Sequence, residues 1–280
     1  MKMISFRGRS FRAFLILIPL LINACWQGAC SQEDRFLDLR AAERRIFSQF
    51  GEDGVIEKIF QVIEPTHCFA VEFGAGDGIW LSNTRNLYLH QGWSGLMMEG
   101  DEKKASELER NYRSLPRVKT DHVWIYPGNI EILFNEHEVP LDFDLLSIDI
   151  DSNDYYVWKA IHTYRPKVVL IEFNAAFPPP EKKVVRFHPM NYWDGSTYFG
   201  ASIQSLYELG KQKGYELVHC ESNGANLFFV DEKYFSRFGL QDNSPQKMFK
   251  INPPPDTHRP LDSPLVIDAF QIEKEFVSLP

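Results

Sequence analysis

Residues 71–78 read Val-Glu-Phe-Gly-Ala-Gly-Asp-Gly. An apolar run ends on an acid and passes into glycines at every second position. Glycines 74, 76 and 78 permit positive φ and let another group approach the main chain closely. A flat nucleoside can therefore lie against this backbone, with Glu72 at the strand end within reach of a positively charged ligand group. A dinucleotide turn reads G-x-G-x-x-G and opens directly into a helix. Position 79, where its third glycine would stand, is isoleucine. That opposes a nicotinamide cofactor and favours a nucleoside bound by Gly74, Ala75, Gly76, Asp77 and Gly78.

Around this turn, strand and helix patterns alternate, which argues for a parallel sheet covered on both faces. Strands are expected at 68–73, 94–99, 118–126, 143–149 and 167–173. Helices are expected near 53–63, after Ser82 or Asn83, after Asp101, at 129–135, from Asn153 and at 202–213. Their apolar residues recur at helical spacing, as Val55, Ile56, Ile59, Phe60 and Ile63 do. The runs 215–220 and 225–230 flank Ser222-Asn223-Gly224, a hairpin signal. The expected fold class is α/β, a Rossmann-like seven-stranded mostly parallel sheet closed by a C-terminal antiparallel hairpin.

The 280-residue chain is long enough for one such domain of about 48–235 with appendages. Residues 31–47 read as a linker with a short helix, and 236–280 as a Pro-rich extension whose apolar stretch near 264–277 packs back on the domain. Lys2, Arg7, Arg9 and Arg12 precede the apolar run 13–24, a pattern of signal-peptide length and short for a membrane span. Residues 1–30 are thus expected to be a leader or membrane anchor, with Cys25 in a loose lipoprotein box. The expected location is exported or membrane-anchored, with the cytoplasm as the alternative. Cys68 and Cys220, the cysteines outside the leader, are expected as buried free thiols on strands that are not neighbours. A net charge of −8 without a basic cluster beyond the leader disfavours nucleic acid as a partner.

The polar residues gather where ligands bind in open α/β sheets, beyond the carboxyl ends of the strands. Glu99, with Gly100 and Asp101, ends the second strand, where a carboxylate can accept two ribose hydroxyls. Asp149, Asp151 and Asp154 crowd the end of the fourth, and Glu172 and Asn174 end the fifth. Asp149, Asp151 and Glu172 are candidate Mg²⁺ ligands, all oxygen donors; the alternative is that no metal binds and Asp154 caps a helix. The loop 178–199 carries Phe187, Tyr192, Trp193 and Tyr198, faces on which rings can stack or which cover the sheet edge. Lys182, Lys183, Arg186 and His188 are its candidates for meeting an anionic substrate, and His188 is its neutral base.

SQFGEDG at 48–54, VEFGAGDG with SNT at 82–84, GWSGLMMEGD at 92–101, DFDLLSIDIDSNDYYVW at 142–158, PKVVLIEFN at 166–174 and GASIQSLYELGKQKGYELV at 200–218 together resemble the FkbM-type methyltransferase family. The likeness spans roughly residues 48–235 with its motifs in order. It implies a class I fold using S-adenosylmethionine (SAM) to methylate the oxygen of a small hydroxylated acceptor, a sugar or glycan among them. By motif, Glu72, Gly74, Gly76 and Glu99 would bind the donor, and Asn83 and Asp149 are further candidates for it. The acidic stretch 148–151 would face acceptor or metal. Asp151 is then the expected base or metal-bound alkoxide partner, with Asp149 and Glu172 supporting it, and His188 is a further catalytic candidate. The contrasting expectation is a non-catalytic module of an exported protein that keeps the fold without turnover.

Overall fold

The computed structural model describes residues 37–189, 198–251 and 266–268. The leader, Cys25, most of the Pro-rich tail, Tyr192 and Trp193 lie outside the described residues. Seven strands form one sheet: β1 Phe69–Phe73, β2 Ser94–Glu99, β3 Val118–His122, β4 Leu145–Ile148, β5 Val168–Glu172, β7 Tyr215–Cys220 and β8 Asn226–Asp231. Their order is β3-β2-β1-β4-β5-β8-β7. β3, β2, β1, β4 and β5 pair in parallel, and β8 runs antiparallel between β5 and β7. The expected sheet is present, hairpin included.

Side chains alternate across a strand, and here the alternation sorts two cores. Val71, Phe73, Leu96, Met98, Leu146, Ile148, Val169 and Ile171 join one apolar cluster. Ala70, Met97, Leu145, Val168 and Leu170 join the other. The first face is covered by α4 Ile130–Glu136, α5 Asp154–Ala160 and α6 Ile203–Gln212, with Trp158 and Phe134 buried against it. The second is covered by α1 Glu52–Ile63, α2 Arg85–His90 and α3 Glu102–Tyr112, through Ile56, Ile59, Leu87 and Leu108. Burial on both faces explains why the strands read as continuous apolar runs rather than alternating ones.

The strand feet are fixed by a buried ion pair. Asp144 accepts the backbone N–H groups of Thr66 and His67 at 2.7 and 2.8 Å and lies 3.2 Å from Lys167 Nζ. Three helix starts are capped as their sequences suggest, Asp101 Oδ1 accepting Lys104 N, Ser202 Oγ accepting Ser205 N, and Ser82 Oγ accepting Arg85 N. Cys68 and Cys220 are free thiols, but only Cys220 is buried; Cys68, just before β1, is half-buried. Among the described residues no helix is long and apolar enough to cross a membrane.

Three expectations need correction. The helix expected within 31–47 is, over its described part, only a 3₁₀ turn at Leu39–Ala42. Asp53 Oδ2 collects the N–H groups of Ile46, Phe47 and Ser48, each at 2.8 Å, and so holds that backbone open. β3 stops at His122 rather than 126, because Asn129 bonds Tyr126 N and Trp124 O and draws the chain into a turn. The long loop is not strand-free: β6 Lys183–Val185 pairs antiparallel with β9 Val266–Asp268 in a second, two-stranded sheet. Through that pairing residues 266–268 of the tail lie against β6. Before it, Phe238 is fully buried, and Phe249 and Ile251 pack on the first core.

Candidate active site

A cavity of about 950 Å³ opens beyond the carboxyl ends of β1, β2, β4 and β5. Its floor is the glycine turn. Gly74 has φ +72°, and a Cβ there would lie 1.5 Å from the carbonyl oxygen of Asp149; only glycine lets β1 and the end of β4 approach so closely. Gly76 turns its N–H to Glu99 Oε2 at 2.7 Å, and Asp101 N donates to Glu99 Oε1 at 2.8 Å. Glu99 thus ties the glycine turn to the end of β2 and still faces the cavity with spare lone pairs. Asp77 Oδ1 accepts the N–H groups of Ile79 and Trp80, shaping the exit from the turn.

Several candidate residues lie elsewhere than the sequence suggested. Glu72 reaches the cavity wall, yet its oxygens accept from Ser82 Oγ and Asn83 N at 2.7 Å and from Thr84 Oγ1. It anchors the chain before α2, and burial raises its pKa. Asn83 does not line the cavity; its Nδ2 donates to Ser147 Oγ at 3.1 Å inside the wall. Gly78 does not line it either: a Cβ there would strike Leu108 and Tyr112, so this glycine serves the seating of the turn on α3. His188 is exposed and outside the lining, and its carbonyl accepts from Asn153 Nδ2 at 3.0 Å. Phe187 packs on Tyr156, and Lys182 Nζ pairs with Glu208 at 2.6 Å. Lys183 and Arg186 also stand outside the lining, so the loop's basic residues do not form an anion site there.

The acids at the ends of β4 and β5 do converge. Asp149, Asp151 and Glu172 each present a carboxylate oxygen, all within 4.8 Å of one another. Burial, then the charges of the neighbouring acids, pushes Asp149 and Glu172 far above the usual carboxylate range. Burial also raises Asp151, an effect that nearby Lys104 partly offsets. Asp151 sits at φ +61°, in the left-handed region that costs a side-chain-bearing residue about 1–2 kcal/mol. The turn is held there by Asp154, whose oxygens accept Ile150 N at 2.8 Å and Ser152 N at 2.9 Å. Burial lifts Asp154 to about 6. Glu172 Oε2 is buried and has no hydrogen-bond partner among the described residues. An unmatched acceptor beside two more carboxylates is a set of hard oxygen donors, and Mg²⁺ fits it chemically.

The sequence reading missed much of the wall. Gln49 and Phe50, before α1, line one side because Asp53 gathers residues 46–48 and Ser48 bridges to Leu81. Trp80 and Trp124 stand at the mouth, 69% and 61% exposed. The Trp124 ring lies against Gly100, whose missing side chain makes the space. The Arg45 guanidinium sits 5.5 Å from the Trp80 ring centre. Asn223, Gly224 and Ala225, from the β7–β8 turn, close the far side with Phe173 and Phe199. A tryptophan directly after a glycine turn, or at a strand's carboxyl end, was the available signal.

No protein-family model and no curated protein matches the sequence. Solved structures do resemble it. The N-terminal domain of EvdMO1 with SAH bound is 14% identical, with a TM-score of 0.42 over 66% of this chain and 82% of that one. A SAM-dependent methyltransferase from Clostridium acetobutylicum is 16% identical, with a TM-score of 0.40 over 64% and 89%. An O-methyltransferase family 2 protein from Planctomyces limnophilus in complex with apigenin is 14% identical, with a TM-score of 0.36 over 58% and 49%. At these identities and TM-scores the likenesses carry no argument about this chain. With five parallel strands, an antiparallel β8 inserted before β7 and helices on both faces, the chain has the class I methyltransferase fold.

Proposed function

We propose that this protein is a SAM-dependent O-methyltransferase of the FkbM type, acting on a small hydroxylated acceptor such as a sugar. One observation carries the reading. A single cavity joins a glycine turn tied to Glu99, on one side, to carboxylates of raised pKa at Asp149, Asp151 and Glu172, on the other. The glycine turn suits the flat adenosine of the donor, and Glu99 its ribose hydroxyls. Trp124 supplies a ring face beside them.

Methyl transfer needs little covalent help from the protein, because the sulfonium carries the reactive bond. The acceptor oxygen attacks the methyl carbon in line as the carbon–sulfur bond breaks. The sulfur keeps the bonding pair and becomes a neutral thioether, and the hydroxyl proton passes to a base. Asp151 is assigned that role: it faces the cavity, and a raised pKa makes it a stronger base than an ordinary carboxylate. Asp149 and Glu172 each present an oxygen within 4.8 Å of its own. Were Mg²⁺ held by these three residues, it would supply Lewis acidity at the acceptor oxygen, and loss of turnover in EDTA tests that.

The decisive experiment is transfer of a labelled methyl group from SAM to hydroxylated acceptors. In Asp151→Asn, turnover is expected to fall by about 10²–10⁴-fold, the usual weight of a general base, with donor affinity unchanged. Intact turnover in that variant removes Asp151 from the mechanism.

A further inference from the structure

The cavity wall is mostly acidic. Lys104 is the one cation among the described lining residues, while carboxylates stand at the ends of β1, β2, β4 and β5. Lys104 belongs to α3, on the glycine-turn side, beside Asp151. Beyond Asp151, the half bounded by Asp149, Glu172, Phe173 and Phe199 has no cationic side chain among the described residues.

That half also holds unmet acceptors. Glu172 Oε2 and Asn153 Oδ1 are buried oxygen atoms of lining residues, and neither has a hydrogen-bond partner among the described residues. Asn153 is only 4% exposed. A buried acceptor left unmet is costly, so a ligand filling this space does best by bringing N–H or O–H groups. Another carboxylate or phosphate would add repulsion to a wall already crowded with like charge. A positive group meets attraction from the acids, and from the faces of Phe173 and Phe199 where it stands over them.

We propose that the acceptor half of the cavity selects a molecule with a protonated amino group beside the reacting hydroxyl, an amino sugar or amino alcohol, over neutral and anionic equivalents. This rests on the methyl-transfer reading of the site and adds the charge of its acceptor. The ammonium donates to Glu172 and Asn153, and the neighbouring hydroxyl is presented to Asp151. A divalent cation is the rival occupant of the same oxygen set.

Three hexoses that differ in charge test it: glucosamine, glucose and glucuronate, titrated calorimetrically into the full chain below the amine's pKa, with and without saturating SAH. Glucosamine is expected to bind about tenfold more tightly than glucose, the equivalent of about 1.4 kcal/mol, and glucuronate at least as much more weakly. In Glu172→Gln the preference for glucosamine is expected to shrink about tenfold, with SAH affinity held within about twofold; if that variant does not fold, the wild-type series decides alone. Failure of glucosamine to outbind glucose overturns the proposal. So does a preference that millimolar Mg²⁺ abolishes and EDTA restores, which assigns the notch to a metal. Absence of SAH binding sinks the methyl-transfer reading instead, and the hexose ratios on the free protein still decide the charge preference.

Discussion

Replacing Glu172 with glutamine should stabilise the free protein more at high pH than at low pH. The substitution keeps the shape and removes one charge from three carboxylates within 4.8 Å of one another. Two unit charges at that separation repel by about 3.5 kcal/mol at an effective dielectric near 20. Partial protonation of the wild-type group already relieves some of this, which leaves about 1–3 kcal/mol to be gained. The sign follows from the direction of the shift. Burial and then the charges of Asp149, Asp154 and Asp151 raise Glu172 above its unfolded value. Folding therefore binds a proton, and the native state loses stability as pH rises from the ordinary carboxylate range through the raised value. Glu172→Gln escapes that loss. Scanning calorimetry at about pH 8 should show Tm higher by about 3–9 °C for a domain of this size. At about pH 5, closer to the ordinary carboxylate range, the difference should shrink. A fall in Tm at the higher pH, or the same rise at both, would refute the repulsion argument.

Other substitutions probe the parts that shape the cavity. Gly74→Ala should cost about 3 kcal/mol or more, since its Cβ would lie 1.5 Å from Asp149 O. Gly76→Ala, with nothing within 4 Å of the added Cβ, should cost only the left-handed backbone penalty of about 1–2 kcal/mol; urea unfolding compares the two. Asp53→Ala removes the acceptor for three N–H groups and the Ser48 hydroxyl, and the same assay should show a loss of about 3–5 kcal/mol. Trp124→Ala should weaken donor binding about tenfold by calorimetry, within the worth of one aromatic–base stack, with folding unaffected because the ring is largely exposed.

The parts legible in the sequence were those whose chemistry is contiguous. The glycine turn, the acids at 149–154 and the caps at Ser82, Asp101 and Ser202 are local patterns, and the alternation of apolar strands and amphipathic helices dictated the sheet. What stayed hidden depended on partners far along the chain. Glu72 reads as a ligand-facing acid until Ser82, Asn83 and Thr84 fold back onto it. Charged residues at 31–47 read as helical, but Asp53 holds residues 46–48 from the next element. β6 has no pattern of its own over three residues and exists because 266–268 pairs with it. His188 looked basic and well placed in a loop whose course no local signal fixes. Trp124 was assigned to a strand interior, and only the turn held by Asn129 brings it to the cavity mouth.

On the proposed reading, the pocket above the glycine turn grips an adenosine-bearing sulfonium. Isothermal titration of the purified, folded chain with SAM and with its demethylated product tests it most directly. Saturable one-to-one heat is predicted for both, weakened in Trp124→Ala. A folded protein that gives no heat with either at millimolar concentration would contradict the assignment.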